Sequence, residues 1–157
     1  MTSRSKESPL ITARRAAMNL LARREQSFSE LIQKLTEKFP DFDKNEVILP
    51  VLEKLREEKL QSDERFAESY VRYRKTRGMG PLKICMELEQ KGVMGSLVQD
   101  HLYSEENDWV EQCREVASRK YPEGPAQSIE ERQKQYRFLS QRGFESDQIR
   151  RILGQKT

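Results

Sequence analysis

The sequence has few of the residues on which catalytic and metal sites depend. Its 157 residues include one histidine, His101, and two cysteines, Cys85 and Cys113, that are far apart in the chain. A zinc site needs several such ligands at short spacing, and an imidazole relay needs a second partner for the histidine. Two cysteines also cannot build a disulfide framework, which favours a reducing compartment. We therefore expect no metal and no cofactor, and we interpret His101 and both cysteines as structural.

Long apolar runs are missing as well. No segment approaches the ~20 consecutive apolar residues of a membrane helix, and the N-terminus lacks an apolar signal core. These absences predict a cytoplasmic protein without membrane contact. The six prolines and seven glycines are too few for a low-complexity chain.

The one glycine-rich loop, residues 78–81, does not match a nucleotide-binding motif. It lacks the third glycine of a dinucleotide fingerprint and the Gly-Lys-Ser/Thr of a phosphate loop. We interpret Gly78 as the end of one helix and Pro81 as the first residue of the next. No pair of carboxylates stands out as an acid and base either, so we predict that the protein is not an enzyme.

Charge is what the sequence has in abundance. It holds 29 Lys or Arg and 26 Asp or Glu, and charged residues make up 35% of the chain. The signs alternate in blocks, with net charges of +5 over residues 1–24, −5 over 25–64, +4 over 65–92, −6 over 93–131 and +5 over 132–157. Solvated helix faces explain most charge runs. Alternation on this scale would also let a fold present separate positive and negative surfaces.

Nearly every segment predicts helix. Strong helix formers dominate, and no segment alternates with the period of two that a strand requires. Capping-box spacing recurs at Ser27, Asp43, Ser96 and Ser128. The predicted helices are 9–25, 28–38, 43–59, 63–77, 81–91, 96–103, 107–120, 128–142 and 146–154. Pro50 is expected to kink the third of them, because proline lacks the N–H that a helix interior uses.

The nine predicted helices repeat in groups of three. Leu88, Gly92, Val98 and Leu102 match Leu139, Gly143, Ile149 and Leu153, each 51 residues later. Leu31 and Leu35 match Ile84 and Leu88 at an offset of 53. Short helical modules stack to share one core. We predict an all-α fold of three tandem three-helix repeats, 9–60, 61–104 and 105–157, after a disordered arm of residues 1–8.

Helical spacing also predicts which side chains are buried. Phe66, Tyr70 and Tyr73 would form one buried stripe, with Val71 beside it. The corresponding stripe of the third repeat comprises Trp109, Cys113, Val116 and Ala117. Aromatic side chains at this spacing could stack on nucleic acid bases, but they belong to a core more often, and we interpret them as core.

The basic clusters are the remaining candidates for a functional site. The first helix carries Arg14, Arg15, Arg23 and Arg24. The candidate partner-binding residues are Arg72, Arg74, Lys75, Arg77, Lys83, Arg132, Lys134, Arg137 and Arg142, and the last helix adds Arg150 and Arg151. Cations near a helix C-terminus are stabilised by the helix dipole. This stabilisation alone would explain Arg74, Lys75 and Arg77 without a role in binding. Recurrence of the clusters favours a positive binding surface. Arg74 and Arg77, three residues apart, are expected to project into solvent together.

Residues 62–93 resemble the signature of the RecX family, which regulates the RecA recombinase. The pattern is an acidic start, Arg65-Phe66, then Tyr70-Val71-x-x-Arg74, then residues 78–81 as G-x-G-P. It continues as Ile84-x-x-Glu87-Leu88 and Lys91-Gly92-Val93. Residues 117–121 and 137–144 are also similar to the family.

The resemblance implies a curved, elongated array of three-helix modules. It further implies a monomer that binds in the groove of the RecA filament on single-stranded DNA and suppresses its recombinase, ATPase and coprotease activities. Direct contact with DNA is possible in that setting. Two alternatives stay open, a helical protein that acts on nucleic acid directly and a helical adaptor for another protein.

Overall fold

The computed structural model describes residues 7–154, and part of the predicted N-terminal arm, residues 1–6, lies outside them. Within the described range the structure contains α-helices, one π-helical turn and no strand. The α-helices are α1 (Pro9–Arg23), α2 (Phe28–Lys38), α3 (Leu49–Glu57), α4 (Asp63–Thr76), α5 (Pro81–Gln90), α6 (Ser96–Leu102), α7 (Trp109–Lys120), α8 (Ile129–Gln141) and α9 (Ser146–Leu153). The predicted all-α fold is confirmed, and residues 7–154 contain nine α-helices. None of the helices in this range is both long and apolar enough to cross a membrane.

Local capping chemistry fixes most of the helix ends. Ser27 forms a full capping box with Glu30, and the side chains of Asp43 and Ser128 accept backbone N–H groups of the turns that follow them. The prediction for Ser96 is wrong. Ser96 is already the first residue of α6, because Gly95 with φ of +84° precedes it and no side chain caps the helix.

Pro50 does not interrupt a continuous helix as predicted. A π-helical turn, Lys44–Ile48, precedes α3, and Pro50 lies in the first turn of α3. A proline is tolerated there because first-turn N–H groups have no acceptor within the helix. The wider turn thus ends at Ile48, and the regular helix begins at Leu49, one residue before the proline.

The described residues divide into two compact units, 7–67 with 91–93, and 68–90 with 94–154. In the first unit, α1, α2, the π turn and α3 pack on one another. Fully buried Ala13, Ala17, Leu31, Leu35 and Leu52 are central to this core. Small alanines on α1 let the neighbouring helices approach closely.

In the second unit, α5 packs on α6, and α7, α8 and α9 pack together. The repeat positions deduced from spacing are buried in matching fashion. Leu88 and Leu139 are fully buried, and Val98 and Ile149 are at most 1% exposed. The stripe of Trp109, Cys113, Val116 and Ala117 is buried as predicted. The repeat boundaries themselves stay a prediction.

Candidate functional site: two helix joints and their cations

The cations at the end of α4 do not form one solvent-facing cluster. The guanidinium of Arg74 binds the Glu87 carboxylate through two hydrogen bonds of 2.8 and 3.0 Å, and the two side chains are only 19% and 17% exposed. Tyr70 donates its hydroxyl to the same carboxylate at 2.9 Å. The expectation that Arg74 projects into solvent with Arg77 is therefore wrong. Arg74 holds α4 to α5.

The expectation that Tyr73 is buried is also wrong. It is 51% exposed rather than part of the buried stripe, and the guanidinium of Arg77 lies 5.5 Å from its ring centre. Helical spacing places Tyr70 and Tyr73 on one side of α4 but does not say how far the neighbouring helix reaches. Here α5 covers Tyr70 through Glu87 and leaves Tyr73 open.

Lys75 and Arg72 are also engaged within the chain. The Lys75 ammonium donates to the Asn107 side chain at 2.6 Å and lies 5.6 Å from the Trp109 ring centre. Arg72, whose side chain is 64% exposed, pairs with Glu68 at 2.8 Å. Lys75 thus helps to position α7, whereas Arg72 remains on the surface in a pair that contributes little to stability.

The predicted residues on α8 also include one cation that holds the chain together and others that lie on the surface. Arg132 donates to the carbonyl of Ala126 at 3.1 Å, which fastens the loop before α8. Lys134 pairs with Glu131 at 3.3 Å on the helix surface. Arg137 is exposed and has no ion pair within residues 7–154.

The glycine-rich loop forms a close backbone joint with the turn after α8. The N–H of Gly80 donates to the Arg142 carbonyl at 2.8 Å, and the N–H of Leu82 donates to the Gly143 carbonyl at 2.9 Å. A Cβ atom added at Gly80 would lie 2.5 Å from the carbonyl carbon of Gly143. Glycine is required there because no side chain fits between the two backbones. We call Arg77, Gly80, Lys83, Arg142 and Gly143 the second joint.

A related joint is found in the first unit. Ser27, which precedes α2, donates its hydroxyl to the carbonyl of Lys91 at 2.8 Å. A Cβ atom added at Gly92 would lie 2.7 Å from the Cβ atom of Ser29. We call Arg24, Ser27, Glu30, Lys91 and Gly92 the first joint. In each joint, a left-handed glycine, Gly92 or Gly143, ends one helix against the first turn of another.

The first joint has its charges paired. Glu30, whose side chain is 11% exposed, lies 3.0 Å from an Arg24 nitrogen and 3.3 Å from the Lys91 ammonium. Burial disfavours the Glu30 carboxylate, but hydrogen bonds from Arg24 and the Ser27 N–H, with the charges of Arg24 and Lys91, lower its pKa to about 2. The carboxylate therefore stays ionised and locks the joint.

The second joint gathers three of the predicted cations. Arg142 donates to the Arg77 carbonyl at 3.2 Å and its guanidinium lies 5.0 Å from the Phe138 ring centre. The backbone of Lys83 abuts Gly143, where an added Cβ would lie 2.6 Å from the Lys83 nitrogen. Within the described residues, none of these three cations has a carboxylate partner. Of the predicted set, the structure brings together Arg77, Lys83 and Arg142.

Sequence reasoning missed that the glycine-rich loop is a docking point for the turn at residue 142. The signal was present in the repeat. Ser27 and Gly80 are 53 residues apart, and Lys91 and Arg142 are 51 apart, which are the two offsets already found among the core leucines. Aligning these positions would have paired the two joints.

Residues 7–154 were also compared with the requirements of a metal site and of a reactive thiol. Among residues 7–154, no group of three or more His, Cys, Asp and Glu side chains is arranged to hold a metal ion. Cys113 is fully buried, and burial raises the pKa of its thiol to about 12. Burial, with the nearby charge of Glu89, raises the pKa of Cys85 too. Neither thiol is set up as a thiolate nucleophile.

Comparison with protein-family models matches all three modules. The first, second and third three-helix domains of RecX match residues 13–55, 62–102 and 106–153. Among similar proteins, "Regulatory protein RecX" of Halorhodospira halophila is 43% identical over 87% of this chain and 83% of its own length. The protein of the same name from Ectopseudomonas mendocina is 43% identical over 94% of this chain and 95% of its own.

Solved structures agree with the fold. A crystal structure of RecX from Lactobacillus salivarius has a TM-score of 0.74 and 27% sequence identity, covering 92% of this chain and 94% of that one. Another crystal structure of regulatory protein RecX has the same TM-score and 28% identity, covering 92% of this chain and 72% of that one. With three domain models and near-full-length relatives in agreement, the chain belongs to the RecX family of regulatory proteins.

Proposed function

We propose that this protein inhibits RecA by binding in the groove of the RecA filament on single-stranded DNA. Binding there suppresses the recombinase, ATPase and coprotease activities of the filament. The protein acts in the cytoplasm as a monomer, without catalysis of its own, in DNA repair and recombination. The observation that carries this proposal is the match of all three RecX domains along the chain.

The charge distribution supports a polyanionic partner. Arg77, Lys83, Arg137 and Arg142 have no carboxylate partner within residues 7–154, whereas Arg74 and Lys75 are occupied in holding helices together. A filament wrapped on DNA offers acidic side chains and phosphates, both of which guanidinium groups bind in bidentate fashion. We therefore assign partner binding to the unpaired cations first, then to exposed Arg72 and Lys134 and to half-buried Arg132.

A RecA ATPase assay on single-stranded DNA tests this function. With increasing amounts of the protein, the steady rate of ATP hydrolysis should fall towards the rate measured without DNA. A rate that stays constant while circular dichroism shows a folded helical protein would contradict the proposal.

The second candidate function is direct binding of nucleic acid. The four unpaired cations favour it, because phosphate contacts dominate such binding and make it steeply salt-dependent. Titration of a labelled oligonucleotide without RecA separates the two. If excess free single-stranded DNA fully relieves the ATPase inhibition, the protein acts by sequestering DNA rather than by binding the filament.

A further inference from the structure

We infer that the second joint is a receptor for a carboxylate side chain of the protein partner, which takes the place that Glu30 fills in the first joint. This inference rests on the proposed function, since RecA is the partner assumed. It names the chemistry that the partner must supply and the residues that receive it.

The two joints correspond position by position. Arg24 and Arg77 directly follow the first helix of their repeats, and Lys91 and Arg142 follow the second helix of the next repeat. Between them, in the first turn of α2 or α5, stand Glu30 and Lys83, 53 residues apart. The carboxylate of the first joint is therefore replaced by a third cation in the second.

The first joint shows what such a pair of cations holds. Arg24 and Lys91 both contact one carboxylate oxygen of Glu30, at 3.0 and 3.3 Å. In the second joint the corresponding Arg142 instead donates to a backbone carbonyl, and Arg77 lies over the Tyr73 ring. Both guanidinium groups are thus held only by weak or neutral partners, which an incoming carboxylate outcompetes.

The cations around this joint extend the positive field. Lys120 lies 5.5 Å from the same Phe138 ring that Arg142 covers. A groove beside Gly78 is lined by Arg72, Lys75 and Arg119, with Glu115 as its carboxylate. An acidic segment is steered to such a surface by long-range attraction, and a single side chain then enters the joint.

A charge exchange tests the receptor. Lys83→Glu restores within the chain the carboxylate that we assign to the partner. The variant retains the Lys83 backbone and Cβ that Gly143 abuts, and a glutamate in the first turn of α5 suits the helix dipole. We expect its melting temperature to rise and its inhibition of RecA ATPase to weaken by about tenfold or more, since the receptor is already filled.

Two variants complete the experiment. Lys83→Ala removes one cation without filling the joint, so its inhibition should weaken less than that of Lys83→Glu and its melting temperature should not rise. Lys44→Glu is the matched control, because it changes the net charge equally at an exposed site in the first unit. It should inhibit as the parent does.

The outcomes separate the inference from the proposed function. A parent protein that fails to inhibit RecA overturns both. A parent that inhibits, beside a Lys83→Glu variant that inhibits equally well, overturns the receptor and leaves the function standing. If Lys83→Glu loses affinity for a labelled oligonucleotide without RecA in the same proportion, phosphate is the ligand and the carboxylate receptor is wrong.

Discussion

The two joints share a backbone design and differ in charge. Each ends a helix on a left-handed glycine, Gly92 or Gly143, and each docks the preceding carbonyl on the residue before another helix. The donor is the Ser27 hydroxyl in the first joint and the Gly80 N–H in the second. The first joint pairs its cations with Glu30, whereas the second places Lys83 there. Both joints therefore keep the docked carbonyl and the left-handed glycine, while the donor and the surrounding charged side chains differ.

The largest expected loss of stability comes from two core substitutions, which test whether the second and third repeats have equivalent cores. Leu88→Ala and Leu139→Ala remove fully buried side chains at matching positions. Each should lower the free energy of unfolding by about 2–5 kcal/mol, through lost burial and the cavity left behind. Urea unfolding followed by circular dichroism measures both. Losses below about 1 kcal/mol at either position would mean that the two sites do not play the same part.

The next largest loss of stability is expected from alanine substitutions at the joint glycines, and its size should differ between the two joints. Gly143→Ala combines a φ of +100° with a Cβ lying 2.6 Å from the Lys83 nitrogen, a backbone atom rather than the end of a flexible side chain. We expect a loss of about 2–4 kcal/mol from strain and overpacking. Gly92→Ala should cost less, because its added Cβ meets the Ser29 side chain rather than backbone.

The control for these variants is Gly124→Ala, where φ is +86° and nothing lies within 4 Å of the added Cβ. It isolates the backbone strain of the left-handed conformation. A loss for Gly143→Ala no larger than that of the control would show that the second joint is loosely packed.

The ion pair between Arg74 and Glu87 gives the third largest expected loss of stability. Arg74→Glu places a second carboxylate against Glu87 at a site less than 20% exposed. Breaking a poorly solvated pair in this way should destabilise the fold by about 2–3 kcal/mol. Arg72→Glu, on an exposed pair with Glu68, should cost only a few tenths of a kcal/mol, as ~0.3 is typical of helix pairs. Thermal melting compares the two; similar losses would contradict the division between structural and surface cations.

Acid titration probes the first joint. The pKa of Glu30 is lowered from 4.5 to about 2 on folding, so its contribution is complete above pH 4.5 and is lost as the pH falls towards 2. Glu30→Gln should be about 1–2 kcal/mol less stable at neutral pH, because charge-assisted hydrogen bonds are lost. Its stability should also fall less between those two pH values. A variant with the parent's acid profile would show that Glu30 does not lock the joint.

The smallest effect on stability belongs to Arg77. Arg77→Glu removes a cation without a carboxylate partner and should change the free energy of unfolding by less than about 0.5 kcal/mol. Inhibition of RecA should nevertheless weaken, mostly through a slower association that high salt masks. Binding kinetics at two salt concentrations check this. Undiminished inhibition at low salt would exclude Arg77 from the interface.

Local chemistry explains why the helices could be predicted. The ends at Ser27, Gly78 and Pro81 depend on neighbouring residues, and their spacing is visible in the chain. The core leucines follow because helical periodicity decides which face is apolar. Ser96 has the spacing of a cap but does not act as one, because Gly95 occupies the capping position and no side chain caps α6.

The candidate site was harder to predict because it depends on contacts across long stretches of chain. Nothing near Arg74 in sequence indicates that Glu87 would take its guanidinium, or that Tyr73 would be left exposed. Gly80 meets Gly143 across 63 residues, and only the repeat offsets hint at that contact. Identifying cations was possible from sequence, but separating the paired from the unpaired required the structure.

Hydrogen exchange of the protein, free and bound to the RecA filament on single-stranded DNA, tests the central claim most directly. The claim is that the second joint meets the partner while the first joint only holds the fold together. Amide exchange should slow on binding in the segments 72–83 and 137–145 and stay unchanged in 24–30 and 91–93. Slowed exchange confined to the segments of the first joint, with none at the second, would contradict the account.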